Sequence, residues 1–228
     1  MPRPHTARSA TVVRRIATTL QKQHPAAFTE LTFQNAFELL VATILSAQCT
    51  DQRVNQLTPA LFERFPDAEA LSTAAPEALE TAIRSSGFFR SKARSLIRMA
   101  TILVERHGGL VPPRMADLVK LPGVGRKTAN VVLGHALGVP ALPVDRHVLR
   151  VSNRLGIADS EDPEVVERQL CAALPENQWT LASDTLILHG RRVCKPKPLC
   201  SQCHARADCP TRVEITDLPT TSRRKRDH

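Results

Sequence analysis

The residues best placed to do chemistry are a glycine-containing turn, a lysine directly after it and an aspartate further on. Residues 121–130 read LPGVGRKTAN, and Asp145 lies eighteen residues after Lys127. Gly123 and Gly125 have no Cβ atoms, so the N–H groups at the start of the next helix can approach an anion, most often a phosphate. A lysine amine in the first turn of that helix, with a carboxylate downstream, indicates covalent amine chemistry on a phosphate-bearing polymer.

A reaction at Lys127 requires that its amine can lose a proton. A free lysine has a pKa of about 10.4, so almost all of it is protonated near pH 7. The helix N-terminus, the adjacent Arg126 and desolvation by substrate favour the neutral amine, whereas a nearby Asp145 carboxylate favours the protonated one. The sequence leaves this balance open. Taken singly, Lys127 also fits a phosphate-binding surface lysine, and Asp145 also fits a helix N-cap.

Four of the six cysteines lie within sixteen residues near the C-terminus. Cys194, Cys200, Cys203 and Cys209 are separated by five, two and five residues, and clustered thiols indicate a metal site more strongly than disulfides. Structural zinc sites usually have two close cysteine pairs, and here only one is present. The spacing therefore favours a [4Fe–4S] cluster, with zinc as the alternative.

The balance of charged residues indicates a polyanionic partner. The chain has 31 lysines and arginines against 22 acidic residues, a formal net charge of +9, and its 228 residues suffice for one large domain or two lobes. Nucleic acid is the first candidate, and a solvated basic surface without a partner is the alternative. No apolar run approaches the length that spans a bilayer, so we expect an intracellular protein with no membrane partner.

Apolar residues recur with the period of an α-helix over most of the chain. In residues 91–107 they fall at i, i+3, i+4 and i+7, and Gly108 follows as a C-cap. No convincing alternating strand is present, so the predicted fold class is all-α, with Pro140 and Pro143 as the best internal boundary. Further helices are predicted over residues 35–47, 51–64 with a kink or restart at Pro59, 76–85, 113–119, 126–137, 145–155, 163–174 and 176–189.

Taken in this order, the hairpin, the lysine, the aspartate and the four cysteines resemble the endonuclease III family of helix-hairpin-helix DNA glycosylases. The resemblance covers roughly residues 8–210. Lys127 falls on the family's nucleophile, and Asp145, in the sequence VDRH, falls on its catalytic aspartate. Residues 189–194, HGRRVC, lead into the cysteines as in the family, although the first cysteine spacing is one residue shorter than the family's. The resemblance implies a [4Fe–4S] cluster as cofactor.

Two further segments of the resemblance imply residues that enter DNA. Residues 45–51, LSAQCTD, resemble the stretch whose glutamine fills the space left by an extruded base, which implies this role for Gln48. Residues 86–93, SGFFRSKA, resemble the stretch that carries an intercalating wedge, which implies this role for Phe88. Seen alone, Gln48 reads as a helix-capping amide and Phe88 as a core aromatic. The other expected DNA contacts are Gly123, Gly125, Arg126, His147, Lys195 and Lys197.

The architecture that the resemblance implies has two helical lobes with a DNA-binding cleft between them. A six-helix lobe over residues 29–140 would end in the hairpin, and a second lobe, residues 1–28 and 141–213, would hold the cluster. Residues 214–228 are expected to be a basic, disordered tail. We expect a monomer.

The activity that the resemblance implies is that of a bifunctional DNA glycosylase and AP lyase in base excision repair. Asp145 would stabilise positive charge at the sugar, Lys127 would attack C1′ and displace an oxidised pyrimidine, and β-elimination would cut the strand. Two alternatives are an adenine mismatch glycosylase on the same scaffold, against which Lys127 argues, and a noncatalytic helix-hairpin-helix binding module. A prokaryotic cytoplasm is the expected location, while the lesion preference and the redox role of the cluster stay open.

Overall fold

The computed structural model describes residues 8–213, and the basic tail predicted for residues 214–228 lies outside this range. Within it the chain forms α-helices, short 3₁₀ turns and loops but no strand, so the predicted all-α class is confirmed. None of the described helices is both long and apolar enough to cross a membrane. The α-helices are α1 (Ala10–Gln23), α2 (Ala36–Leu45), α3 (Asp51–Arg64), α4 (Ala68–Ser72), α5 (Pro76–Ala82), α6 (Phe89–His107), α7 (Met115–Leu118), α8 (Arg126–Ala136), α9 (Arg146–Leu155), α10 (Pro163–Ala173) and α11 (Trp179–Arg192).

Local capping residues set the ends of these helices. The Asn35 side chain accepts a hydrogen bond from the Glu38 N–H at 2.9 Å and so begins α2. Gly108 adopts the left-handed conformation with φ of 59°, and the N–H of Gly109 donates to the Leu103 carbonyl at 3.0 Å. This arrangement ends α6 as the sequence predicts, because glycine enters the left-handed region without a steric penalty.

Three elements differ in kind from the sequence prediction, while the ends of α2, α7 and α11 are shifted by one to three residues. Helix α3 continues through Pro59 without a restart, since the missing N–H removes a single bond from a helix anchored by buried Val54 and Leu61. The helix predicted over residues 76–85 ends at Ala82 and is followed by a 3₁₀ turn, Arg84–Ser86. Helix α4 was not predicted, because five residues are too few for an apolar period to be visible.

Buried apolar side chains form two clusters. The first is built from α2 to α8 and their loops, between Leu31 and Ala141. The second is built from α1 and from the chain beyond Leu142, including α9, α10 and α11. Membership therefore passes from one cluster to the other within the segment between Pro140 and Pro143, and Lys127 and Asp145 lie on opposite sides of that segment.

An extended segment, residues 139–145, connects α8 to α9, and we call it the strap. Three consecutive strap carbonyls accept hydrogen bonds from side chains of α8 and α11. The bonds are Thr180 Oγ1 to Ala141 O (2.9 Å), Asn130 Nδ2 to Leu142 O (3.4 Å) and Ser183 Oγ to Pro143 O (2.5 Å). Because Asn130 and Ser183 are buried, these bonds satisfy carbonyls that water does not reach and fix the path of the strap.

The contact between Gly134 and Thr180 gives a test of how Thr180 packs against the strap. A Cβ on Gly134 would collide with Thr180 Oγ1 and lie 2.9 Å from its Cγ2, so rotating the threonine cannot relieve the overlap. We expect Gly134→Ala to destabilise the protein by about 1–3 kcal/mol, despite the better helix propensity of alanine. Urea unfolding followed by circular dichroism measures this change. Thr180→Ala in the same chain should recover part of the loss, and strictly additive effects would contradict the proposed overlap.

Candidate functional site

The hairpin places an uncapped helix N-terminus at the surface. Gly123 has φ of 81°, a conformation that favours glycine, and a Cβ there would lie only 3.2 Å from Ser95 Cβ, so a side chain would also crowd Ser95. Gly125 is the N-cap of α8, has an ordinary φ of −93°, and a Cβ there would meet nothing within 4 Å. Within residues 8–213 no side chain caps α8, so its first N–H groups lack a capping partner there and can receive an anion.

Lys127 and Asp145 line the same cavity, which we call the lysine cavity. Asp145 is the N-cap of α9, and its Oδ1 accepts hydrogen bonds from the N–H groups of His147 (2.7 Å) and Val148 (2.9 Å). The N-cap interpretation of Asp145 is therefore correct as geometry. Its Oδ2 has no hydrogen-bond partner within residues 8–213, so one carboxylate oxygen is held in place while the other remains available to the cavity.

A buried histidine–aspartate pair forms part of the same cavity. His135 Nε2 lies 2.9 and 3.1 Å from the two carboxylate oxygens of Asp184, and its Nδ1 lies 3.0 Å from the Val131 carbonyl. Burial by itself lowers the pKa of His135, but the hydrogen bond and charge of Asp184 outweigh it, so the pKa is raised above 6.5. With an acceptor at each ring nitrogen, the imidazole is arranged to carry two protons.

An arginine-centred ion-pair network and an exposed aromatic ring complete the mouth of the lysine cavity. Arg191 of α11 donates to Asp51 at 2.9 Å and to Glu30, which ties the second core cluster to residues of the first. The ring of Phe28 is 60% exposed and meets His135 edge-on, with ring centroids 5.4 Å apart. An exposed phenylalanine in the same cavity as Lys127 offers an apolar face to a molecule that enters it.

A second, larger cavity of about 810 Å³ adjoins the lysine cavity and shares Glu30, Asp51 and Arg191 with it. Two predicted DNA contacts, His147 and Lys195, line this groove, and Lys197 does not. His147 Nδ1 lies 3.1 Å from an Arg150 guanidinium nitrogen, and burial lowers the pKa of His147.

Arg126 takes part in an ion pair within the protein. Its guanidinium donates to both carboxylate oxygens of Glu167 of α10, at 2.9 and 2.8 Å. This bidentate pair joins α8 to the second core cluster. The structure thus gives Arg126 a bridging contact between the lobes, and its expected DNA contact stays a prediction.

Gln48 and Phe88 both project from turns. Gln48 lies between α2 and α3 and is exposed, and the N-cap of α3 is Thr50, so Gln48 is not a capping amide. Phe88 precedes α6 and is 68% exposed, so it is not a core aromatic. The simple structural interpretations of both residues are thus wrong, and their proposed roles stay compatible with the geometry.

The four clustered cysteines line one small cavity of about 20 Å³ beside the end of α11. Burial, together with the charges of the other three thiols, raises the pKa of the Cys203 thiol to about 11. An Arg154 guanidinium nitrogen lies 3.6 Å from Cys194 Sγ, and His189 Nε2 lies 3.6 Å from Cys203 Sγ. Within residues 8–213, no three histidine, cysteine or acidic side chains converge as they would around a single metal ion.

The sequence did not indicate His135, Asp184, Phe28 or the Arg191 network as parts of the site. One signal was present, because Lys127, Val131 and His135 are spaced four residues apart on α8 and all line the lysine cavity. The remaining residues come from distant parts of the chain and carry no common spacing.

The cysteines Cys49 and Cys171 are half-buried, and burial raises the pKa of Cys171 to about 12.

Comparison with known proteins identifies the class to which this fold and site belong. Residues 41–176 match the family model of the HhH-GPD superfamily of base excision DNA repair proteins. Endonuclease III of Synechocystis sp. is 50% identical over 194 residues, covering 84% of this chain and 89% of that protein. Endonuclease III of Escherichia coli (strain K12) is 43% identical over 189 residues, covering 82% and 90%.

The similarity extends to solved structures. The structure of a trapped endonuclease III–DNA covalent intermediate, an estranged-adenine complex, matches with a TM-score of 0.85 and 41% identity, covering 90% of this chain and 97% of that one. The chain belongs to the HhH-GPD superfamily and, within it, to the endonuclease III family. The family predicted from the hairpin, the lysine, the aspartate and the cysteines is confirmed.

The raised pKa of His135 predicts a pH-dependent contribution to stability. The stabilisation is fully present below the unfolded-state pKa of about 6.5 and is lost as the pH rises through the higher folded-state value. Asp184→Asn should remove this dependence and lower the free energy of unfolding by about 3–5 kcal/mol near pH 6. Urea unfolding at pH 6 and pH 9 measures both effects.

Asp159→Asn is a suitable control, since Asp159 is exposed and forms no ion pair within the described residues. It should keep the wild-type difference between the two pH values. An Asp184→Asn protein with the same pH dependence as the wild type would show that the pair does not carry it.

Proposed function

We propose that the chain is a bifunctional DNA glycosylase and AP lyase, which removes oxidised pyrimidines from duplex DNA and cleaves at abasic sites. The observation that carries the proposal is that Lys127 and an unpaired oxygen of Asp145 share one cavity in a member of the endonuclease III family. A relative of 41% identity has been captured as a covalent intermediate with DNA. A lysine amine is a nucleophile that can form such a bond.

The reaction begins with extrusion of the damaged nucleotide, because a stacked base inside a duplex is out of reach. Asp145 Oδ2 stabilises the positive charge that develops at the sugar as the glycosidic bond breaks. The neutral amine of Lys127 attacks C1′, the base departs with the bonding electrons, and loss of a proton and ring opening give a Schiff base. Removal of a proton from C2′ then expels the 3′ phosphate by β-elimination.

The same proposal gives the DNA contacts their physical roles. The open N-terminus of α8 at Gly125 receives a backbone phosphate, and Gly123 permits the turn that aims it. Lys195 and His147 face the strand from the groove. Gln48 fills the gap opposite the extruded nucleotide, and Phe88 wedges into the stack.

The residues around the four cysteines fit a [4Fe–4S] cluster. Each cysteine of such a cluster binds its own iron, so the sulfurs stay further apart than around zinc, where four sulfurs lie about 2.3 Å from one centre. The spread of the four thiols around a common cavity, with Arg154 and His189 directed at two sulfurs, suits this larger anionic group. The cluster would hold the C-terminal loop to α11 and present Lys195 to DNA.

We further propose that the chain acts as a monomer on DNA in a bacterial cytoplasm. The relatives named endonuclease III that support this location come from bacteria, among them Synechocystis sp., Bacillus subtilis and Escherichia coli. The net charge of +9 favours association with DNA without a second subunit.

Borohydride trapping tests the proposed nucleophile. The wild-type protein, mixed with duplex DNA that contains one abasic site or one thymine glycol, should give a covalent adduct on a denaturing gel, because borohydride reduces the Schiff base to a stable amine. Lys127→Gln should give no detectable adduct and no strand cleavage, while its binding to the same duplex is retained.

Lys22→Met, which changes an exposed lysine at the end of α1, should trap like the wild type. Strand cleavage by pure Lys127→Gln would refute the assignment. Tight binding without an adduct from the wild type would instead indicate a monofunctional glycosylase or a plain DNA-binding module.

Optical absorption and metal analysis test the cofactor. The purified protein should be coloured, with a broad band near the boundary of the visible and ultraviolet, and should contain about four irons per chain. Cys203→Ser should lower both the band and the iron content. A colourless protein with one zinc per chain would contradict the cluster.

A further inference from the structure

The two residues proposed to enter DNA share an unusual backbone conformation. Gln48 has φ of 55° and Phe88 has φ of 48°, and within residues 8–213 these are the only non-glycine residues with positive φ. Left-handed conformations of such residues are uncommon and costly, and they persist only where surrounding contacts impose them. Something in the fold must therefore hold both turns.

The side chain of Lys92 touches both turns at once. Its Nζ donates to the carbonyl of Leu45 at 2.7 Å and to the carbonyl of Ser86 at 2.8 Å. Leu45 lies three residues before Gln48, and Ser86 lies two residues before Phe88. The backbone N–H of Lys92 also donates to the Phe88 carbonyl at 3.0 Å, which is the first i→i−4 hydrogen bond of α6, so Lys92 lies directly after the second turn.

Both carbonyls depend on this ammonium. Leu45 ends α2 and Ser86 ends a 3₁₀ turn, and no backbone N–H within the described residues donates to either oxygen. Helix-terminal carbonyls lack an intrahelical partner and need one from elsewhere. An ammonium has three donors and can serve both carbonyls, and its charge also complements the negative end of the α2 dipole.

Lys92 is buried, with only 7% of its surface exposed, and no carboxylate lies within ion-pair distance of it in the described part of the chain. Burial lowers its pKa. A buried charge without a counter-ion is costly, so the apolar packing of a long side chain does not by itself account for a lysine here. The hydrogen bonds of Lys92 to the Leu45 and Ser86 carbonyls account for a lysine at this position.

We propose that Lys92 is a positioning residue that couples the Gln48 turn to the Phe88 turn, so that the two side chains enter duplex DNA as one rigid unit. Lys92 itself touches neither DNA nor the reacting atoms. The inference rests on the proposed function, since it concerns how this chain opens a duplex before Lys127 acts.

The consequence is a loss confined to duplex substrates. An abasic sugar in single-stranded DNA has no stacked partner strand, so it can reach Lys127 without a plug or a wedge. We expect Lys92→Met to lower the rate of borohydride trapping on duplex abasic DNA by at least about tenfold, the effect of losing roughly one charged hydrogen bond. Trapping on the same oligonucleotide in single-stranded form should stay within about threefold of wild type.

A spectroscopic measurement follows the insertion directly. A duplex carries a tetrahydrofuran abasic analogue opposite 2-aminopurine, whose fluorescence rises when it leaves the stack. Wild type should raise this fluorescence, and Lys92→Met should do so much less at protein concentrations that saturate binding. Lys92→Arg, which keeps the charge and several donors, should recover part of the signal, and Lys22→Met should match wild type.

Equal losses on duplex and single-stranded DNA, or no loss on either, would overturn the inference. If Lys92→Met does not fold, the ratio of trapping rates on duplex and single-stranded DNA is measured with Lys92→Gln instead. The glutamine amide can donate to one of the two carbonyls, which favours folding of this variant. A wild type that forms no adduct with either DNA would instead refute the proposed function. The two failures are therefore distinguishable.

Discussion

The geometry of the site depends on the three side-chain hydrogen bonds that hold the strap. Lys127 lies on α8, which contributes to the first core cluster, and Asp145 begins a helix of the second, so the seven residues of the strap set their separation. Asn130 holds this strap from α8, three residues beyond Lys127, while Thr180 and Ser183 hold it from α11. Two of the seven strap residues are prolines, which lack an N–H group and disfavour regular pairing, and side chains fix the path of the strap instead.

Ion pairs between the two core clusters fix how the elements of one cluster are oriented relative to those of the other. Arg126 with Glu167, Arg191 with Asp51 and His135 with Asp184 each join an element of one cluster to an element of the other. Buried and partly buried pairs of this kind return little net stability, since desolvation offsets much of the attraction. Their value here is geometric, because three separate bonds restrict how one lobe can turn against the other around the lysine cavity.

The sequence predicted the candidate site residues that belong to short local motifs. It predicted few of the distant contacts that hold those residues in place. The hairpin, Lys127, Asp145 and the cysteines are visible because glycine, proline and thiol spacing are local properties. Lys92 and His135 act through partners far away in the chain, such as Leu45 and Asp184, and no spacing reveals such contacts. The left-handed conformations of Gln48 and Phe88 were also invisible, because neither residue type demands them, and only the surrounding contacts impose them.

The same kind of contact occurs at the Gln48 and Phe88 turns and at the strap. In each place a side chain donates a hydrogen bond to a backbone carbonyl that secondary structure leaves unpaired. The donors are Lys92 at the turns and Asn130, Thr180 and Ser183 at the strap. These segments are irregular backbone, so their carbonyls need partners from side chains. Each lost side-chain donor leaves a buried carbonyl unsatisfied, at a cost of about 1–3 kcal/mol. Substitution of these four donors should therefore disturb the turns and the strap, because their hydrogen bonds fix the path of the backbone there.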